Sequence, residues 1–254
     1  MLRALKLELD PELSSRLVTA QRLEELRGHR GSGLSELDAL LGGGWPRGAL
    51  SEISGRRSSG RTSVVLAALA RAGSAGEATA LVDAGGALDP RAAAACGVAL
   101  PRLLWIRCTS AQALKAADLV VSAGGFDVIA IDLGEERPRA PTASWVRLKH
   151  GAERQGTSVL VATPARAVGA FAAAAVELRA AAPRFFTDAG KGDAEGVGGG
   201  RAGSPSRSAA AGGPPLLGGA RVQIECVRRA GRSATDNGGE PHTSCAWLAF
   251  TCLS

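Results

Sequence analysis

Between Gly33 and about Phe186, short apolar runs alternate with longer helix-like stretches rich in alanine. ALSEIS (49–54), ATALVD (78–83), LLWIRC (103–108), DVIAID (127–132) and TSVLVAT (157–163) are six or seven residues long and rich in Val, Ile and Leu. Runs of this kind predict strands buried on both faces, and their alternation with helical stretches predicts an α/β fold with a mainly parallel central sheet flanked by helices. Before them, Leu13, Leu17, Ala20, Leu23 and Leu26 recur near a 3.6-residue period, with Asp10 placed to cap and Pro11 in the first turn. That predicts an N-terminal helix within residues 1–30, ended by Gly28 and Gly31 and docked either on its own domain or on a partner chain. The core then runs over 31–186.

Residues 187–219 are dominated by Gly, Ala, Ser and Pro, and too few apolar side chains remain there to build a core. The stretch is expected to be a disordered insertion. Beyond it, ARVQIECVRR (220–229) and SCAWLAFTCL (244–253) flank a polar link, so 220–254 is expected to form an antiparallel hairpin that completes the sheet.

Charge adds little. Thirty basic residues against 24 acidic ones give +6, an excess that permits an acidic partner without demanding one. Nearly all the bases are arginine, which in an alanine- and glycine-rich chain fits a coding bias as well as a binding adaptation. The five cysteines show no C-x-x-C pair, so buried reduced thiols are expected. Glu8 and Asp10 interrupt the start before any apolar core of signal length, and no apolar run approaches the roughly 20 residues of a spanning helix. A cytoplasmic protein without membrane contact is the expectation.

The candidate chemistry sits in GRRSSGRT, Gly55 to Thr62. It follows a predicted strand and precedes SVVLAALARA, the setting in which G-x-x-x-x-G-[K]-[ST] cradles phosphates. The candidate phosphate ligands are Gly55, Ser58, Ser59, Gly60, Arg61, Thr62 and Ser63, with backbone N–H groups and a helix N-terminus supplying positive potential. Thr62 and Asp132, which ends DVIAID, are the candidate magnesium ligands, although an aspartate there also serves as a turn or cap residue. Arg61 stands where lysine is usual, and a broad planar guanidinium does not replace a compact ammonium.

Taken in order, GSGLSELDALLGGGWPRGALSEISG, GRRSSGRT, LVDAGGALDPRAAAACGV and FDVIAID resemble the bacterial recombinase RecA over roughly residues 31 to 180. The implied fold is a RecA-type P-loop NTPase core with C-terminal antiparallel strands. GGGWPRGALSE (42–52) further resembles the ImuA (SulA-like) family of translesion-synthesis accessory proteins. The resemblance implies that Asp89 lies in the base-contacting segment, that Gly85 takes the place of a water-activating glutamate, and that Pro164 falls near a phosphate-sensing glutamine. It also implies that two DNA-binding loops are shortened to 133–144 and 164–169.

The expected function is accordingly a RecA-like accessory factor in SOS mutagenesis. Its site would be degenerate and catalytically inert, need no cofactor, and hold ATP and magnesium at most weakly. Implied partners are an ImuB-like Y-family polymerase subunit, RecA and an error-prone replicative-type polymerase, in a nucleoid-associated setting. Two alternatives stay open. One is an active ATPase using Glu135 or Glu136 as a substitute acid. The other is a single-stranded-DNA module using Arg137, Arg139, Arg147, Lys149, Arg154 and Arg166. Trp45 is either a partner anchor or packed over the sheet, and Trp105 is expected in the core.

Overall fold

The computed structural model describes residues 28–136, 138, 140–186, 216–229, 232–233 and 243–249. Residues 1–27, where the sequence predicts the N-terminal helix, and residues 187–215 lie outside them. A short antiparallel pair, β1 (His29–Arg30) with β2 (Trp45–Pro46), brackets helix α1 (Ser35–Leu41). The main elements then follow in the order β3 (Ala49–Gly55), α2 (Arg61–Ser74), β4 (Thr79–Asp83), α3 (Pro90–Ala95), β5 (Leu103–Arg107), α4 (Ser110–Ala123), β6 (Val128–Asp132), α5 (Thr142–Gln155) and β7 (Ser158–Thr163). Four more strands complete the chain: β8 (Ala172–Phe186), β9 (Leu216–Arg229), β10 (Arg232–Ser233) and β11 (Thr243–Ala249).

The sheet runs β10-β9-β8-β3-β7-β6-β4-β5, with β11 also on β9. Strands β3 to β8 are mutually parallel, and β9, β10 and β11 add antiparallel pairing. This is the predicted α/β architecture with a mainly parallel centre. Period-two side-chain direction divides the core between the two faces. Val128, Ala130, Leu160 and Ile53 pack with α2 on one face, while Ile129, Ile131, Val159 and Val161 pack with α4 and α5 on the other. Both sets are essentially excluded from solvent, which is why these strands read as unbroken apolar runs.

Four details depart from the sequence reading. β8 was not among the candidate strands; its alanines suit a helix, yet it lies between β3 and β9, and the sheet overrides propensity. β9 begins at Leu216, inside the stretch expected to be a disordered insertion up to 219. β5 is an edge strand, not a buried one: Leu104 is 43% exposed and Trp105 only partly buried. Of the cysteines whose side chains are described, only Cys226 is buried; Cys108 is half-buried and Cys96 exposed. Trp45 is fully buried in the α2-side core. No helix among the described residues is long and apolar enough to cross a membrane.

Candidate functional site

The loop from Gly55 to Thr62 links the C-terminal end of central β3 to the N-terminus of α2, at the edge of the sheet where open α/β folds place ligands. Its geometry is that of a tight phosphate loop. A Cβ at Gly55 would lie 2.4 Å from Ser59 Oγ and 2.7 Å from the Leu178 carbonyl oxygen, so only glycine fits. Ser59 N–H donates to the Arg56 carbonyl at 3.0 Å. Ser58 has φ +61°, uncommon for a residue other than glycine. Gly60 caps α2 with φ +93°, Thr62 is exposed, and Ser63 half-exposed.

Arg61 is buried. Its guanidinium donates to the Gly134 carbonyl at 3.2 Å and to the Glu135 carboxylate, both on the segment that follows β6. That segment is itself drawn inward. Asp132 accepts the Gly134 N–H at 2.9 Å, and a Cβ at Gly134 would stand 3.2 Å from Gly85 Cα. Conversely, a Cβ at Gly85 would meet Gly134 Cα at 3.1 Å and Asp132 Oδ1 at 3.7 Å. A Cβ on either glycine would oblige the facing backbone to shift by a few tenths of an ångström, so the close approach favours glycine at both positions.

Asp132 and Asp83 end adjacent strands in register. Burial pushes the Asp132 carboxyl above its ordinary range; the Gly134 N–H and Arg61 oppose that shift, and Asp83 and Glu135 reinforce it. Asp83 is itself buried and fully engaged, accepting from Ala87 N–H, Leu88 N–H and Trp105 Nε1. Asp89, the candidate base-contacting residue, accepts the Arg91 N–H at 2.9 Å and caps α3. Among the described residues no group of three or more His, Cys, Asp or Glu is arranged to hold a metal.

The phosphate-loop cation is engaged by a neighbouring loop, the Asp132 oxygen Oδ1 is satisfied by backbone, and the backbone of Gly134 abuts position 85, where no carboxylate stands. Glu135, weighed from sequence as a substitute acid or a solvated charge, is the partner of Arg61. The basic residues weighed for DNA do not converge: Arg147 pairs with Asp118 at 3.1 Å, and Arg154 lies in the last turn of α5, the end beside Gly48 ahead of β3. Arg166 instead lies beside the phosphate loop with Arg56, Arg57 and Arg179, a grouping that no spacing in the sequence announces. Arg137 and Arg139 lie outside the described residues.

The parallel sheet, the central strand–loop–helix and the acid at the end of β6 together define a RecA-like domain, one in which the phosphate loop is tied to the loop opposite. Comparison with known proteins agrees: residues 19–140 match the family described as RecA N-terminal domain. Protein RecA of Francisella tularensis subsp. novicida (strain U112) and Protein RecA of Francisella tularensis subsp. tularensis (strain SCHU S4 / Schu 4) are each 44% identical over 103 residues, 40% of this chain. The chain spans 29% of the length of these curated relatives.

Proposed function

We propose that this chain is a RecA-like accessory protein of DNA-damage tolerance, of the ImuA type, that works through protein contacts and not through ATP turnover. Its partners in this reading are an ImuB-like Y-family polymerase subunit, RecA and an error-prone replicative-type polymerase, and its setting is the bacterial nucleoid. The observation that carries the proposal is the engagement of Arg61 by Gly134 and Glu135 across a Gly85–Gly134 contact. Phosphoryl transfer depends on a positioned cation, a metal and a group that orients the nucleophile. Here the cation is held elsewhere, and the orienting carboxylate is replaced by glycine. ATP and magnesium are then bound weakly at most, and no cofactor is required.

The test has two parts. Steady-state ATPase measurement on the full chain, with and without single-stranded DNA, is expected to show no turnover above background. Turnover abolished by both Arg61→Ala and Asp132→Ala would instead establish an active ATPase and overturn the reading. Affinity capture from damage-treated cells is expected to recover RecA and a Y-family-like polymerase, and recovery of neither would refute the accessory role.

A further inference from the structure

Away from the phosphate loop, helices α4 and α5 and the segment after β6 enclose a groove of about 1360 Å³. Its apolar lining includes Leu114, Leu119, Leu133 and Pro141. Leu133 is buried and Leu114 half-buried, whereas Leu119 is 65% exposed, well above Leu104 and Leu100, the other large apolar side chains exposed among the described residues. A single exposed leucine is ordinary, but one that borders an apolar groove belongs to a contiguous patch. The groove is larger than the about 300–1,000 Å³ of small-molecule sites, so its size suits a macromolecular surface.

Four charged side chains line the groove, two of each sign. Arg147 of α5 is paired with Asp118 of α4 at 3.1 Å. Lys115 and Glu136 are both exposed and form no ion pair among the described residues. Lys115 stands one turn before Leu119 on α4, and Glu136 lies on the segment after β6. A balanced lining disfavours a polyanion, whose binding rests on neutralising phosphates with a cationic surface. It is what a two-fold contact requires, because an isologous patch meets a copy of itself and must carry both halves of every interaction. Here an exposed apolar knob and an apolar groove, and a free cation and a free anion, occur on one patch.

We infer that this groove is the contact face of a closed, two-fold pair of this chain. Leu119 of each copy enters the groove of the other between Leu114 and Pro141, over Leu133, and Lys115 of each copy faces the partner's Glu136. The inference goes beyond the accessory-protein reading and does not depend on it.

Sedimentation velocity on the full chain, across micromolar concentrations, tests it. A reversible monomer–dimer equilibrium is expected, with no larger species. Leu119→Glu should raise the dissociation constant by about 10-fold or more, since it places an unpaired carboxylate in an apolar contact. The side chain is exposed in the single chain, so this variant is expected to keep the wild-type melting temperature. Lys115→Glu should also weaken the pair about 10-fold by setting like charges opposite each other. Adding Glu136→Lys to the same chain should restore most of the affinity, because both cross-pairs return. Leu104→Glu, on the edge strand β5, should change nothing. Five outcomes overturn the inference. A monomer at every concentration leaves the groove to a different protein or to the N-terminal segment. A dimer weakened by Leu104→Glu but not by Leu119→Glu puts the contact on the sheet edge. A dimer weakened by Leu17→Glu but not by Leu119→Glu gives it to the N-terminal segment. A mass that keeps rising with concentration means a head-to-tail assembly that does not close. Failure of the double charge exchange to restore affinity removes the Lys115–Glu136 pairing on which the two-fold arrangement rests.

Discussion

The two flanks of the loop from Gly55 to Thr62 share one backbone turn and have opposite characters. On the β6 side, Arg61, Glu135, Asp132, Gly134 and Gly85 satisfy one another: an ion pair, two hydrogen bonds to backbone and a glycine-on-glycine contact leave little room. On the β8 side, Arg56 and Arg57 are unpaired among the described residues and Ser59 Oγ is unsatisfied. In a working P-loop enzyme the first flank is the reactive one. Here it is internally neutralised, and the uncompensated positive charge faces the other way. One turn can therefore carry a self-satisfied flank and an unsatisfied one, according to which segments approach it.

Substitutions can break this contrast at graded cost. The largest effect is expected from Gly55→Ala, since the new methyl group meets the Leu178 carbonyl oxygen at 2.7 Å and both flanks hang from this turn. Destabilisation of about 3 kcal/mol is expected, read as a lower urea midpoint with unchanged slope. Next is Glu52→Ala, which strips the acceptor from the Ala167 and Val168 N–H groups and should cost about 2 kcal/mol. It should loosen only the β8 flank, read by the same urea titration, and leave the Arg61 contacts in place.

Asp132→Asn sharpens the β6 side through pH. Burial holds the folded-state carboxyl of Asp132 above 3.8, so between 3.8 and its raised value the folded protein binds more protons than the unfolded chain. Stability contributed by this group is therefore lost as pH rises through that window. The asparagine variant, which can still accept the Gly134 N–H, should gain in melting temperature relative to the parent as pH rises above 3.8. A difference independent of pH would contradict this. The smallest effect is expected from Glu135→Ala: the glutamate side chain is 51% exposed, and such pairs contribute under about 1 kcal/mol. Its loss should move the urea midpoint only slightly.

Much of the architecture was legible in linear order. The strand at 127–132 and its neighbours announced themselves because both faces of a central parallel strand are buried, which leaves an unbroken apolar run. The same logic failed at β5, where Leu104 and Trp105 look central by composition but sit at the sheet's edge. It failed again at β8, whose alanines carry no strand signature. At the site, Gly55 to Thr62 and Asp132 were recognisable by residue type and spacing. The role of Glu135 was not, because its partner lies 74 positions away. The grouping of Arg56 and Arg57 with Arg166 and Arg179 was equally hidden, since it arises from strands that adjoin in space and not in sequence.

By itself, then, the sequence determined what period-two and period-3.6 patterning and local turn chemistry can encode: a RecA-like α/β core, a phosphate-loop turn with arginine for lysine, and glycine at position 85. Only the tertiary structure decided where Arg61 points and which charges are left unopposed. Strand order and the approach of loops from β3, β4, β6 and β7 set those outcomes, and a side chain's electrostatic partner depends on that three-dimensional proximity.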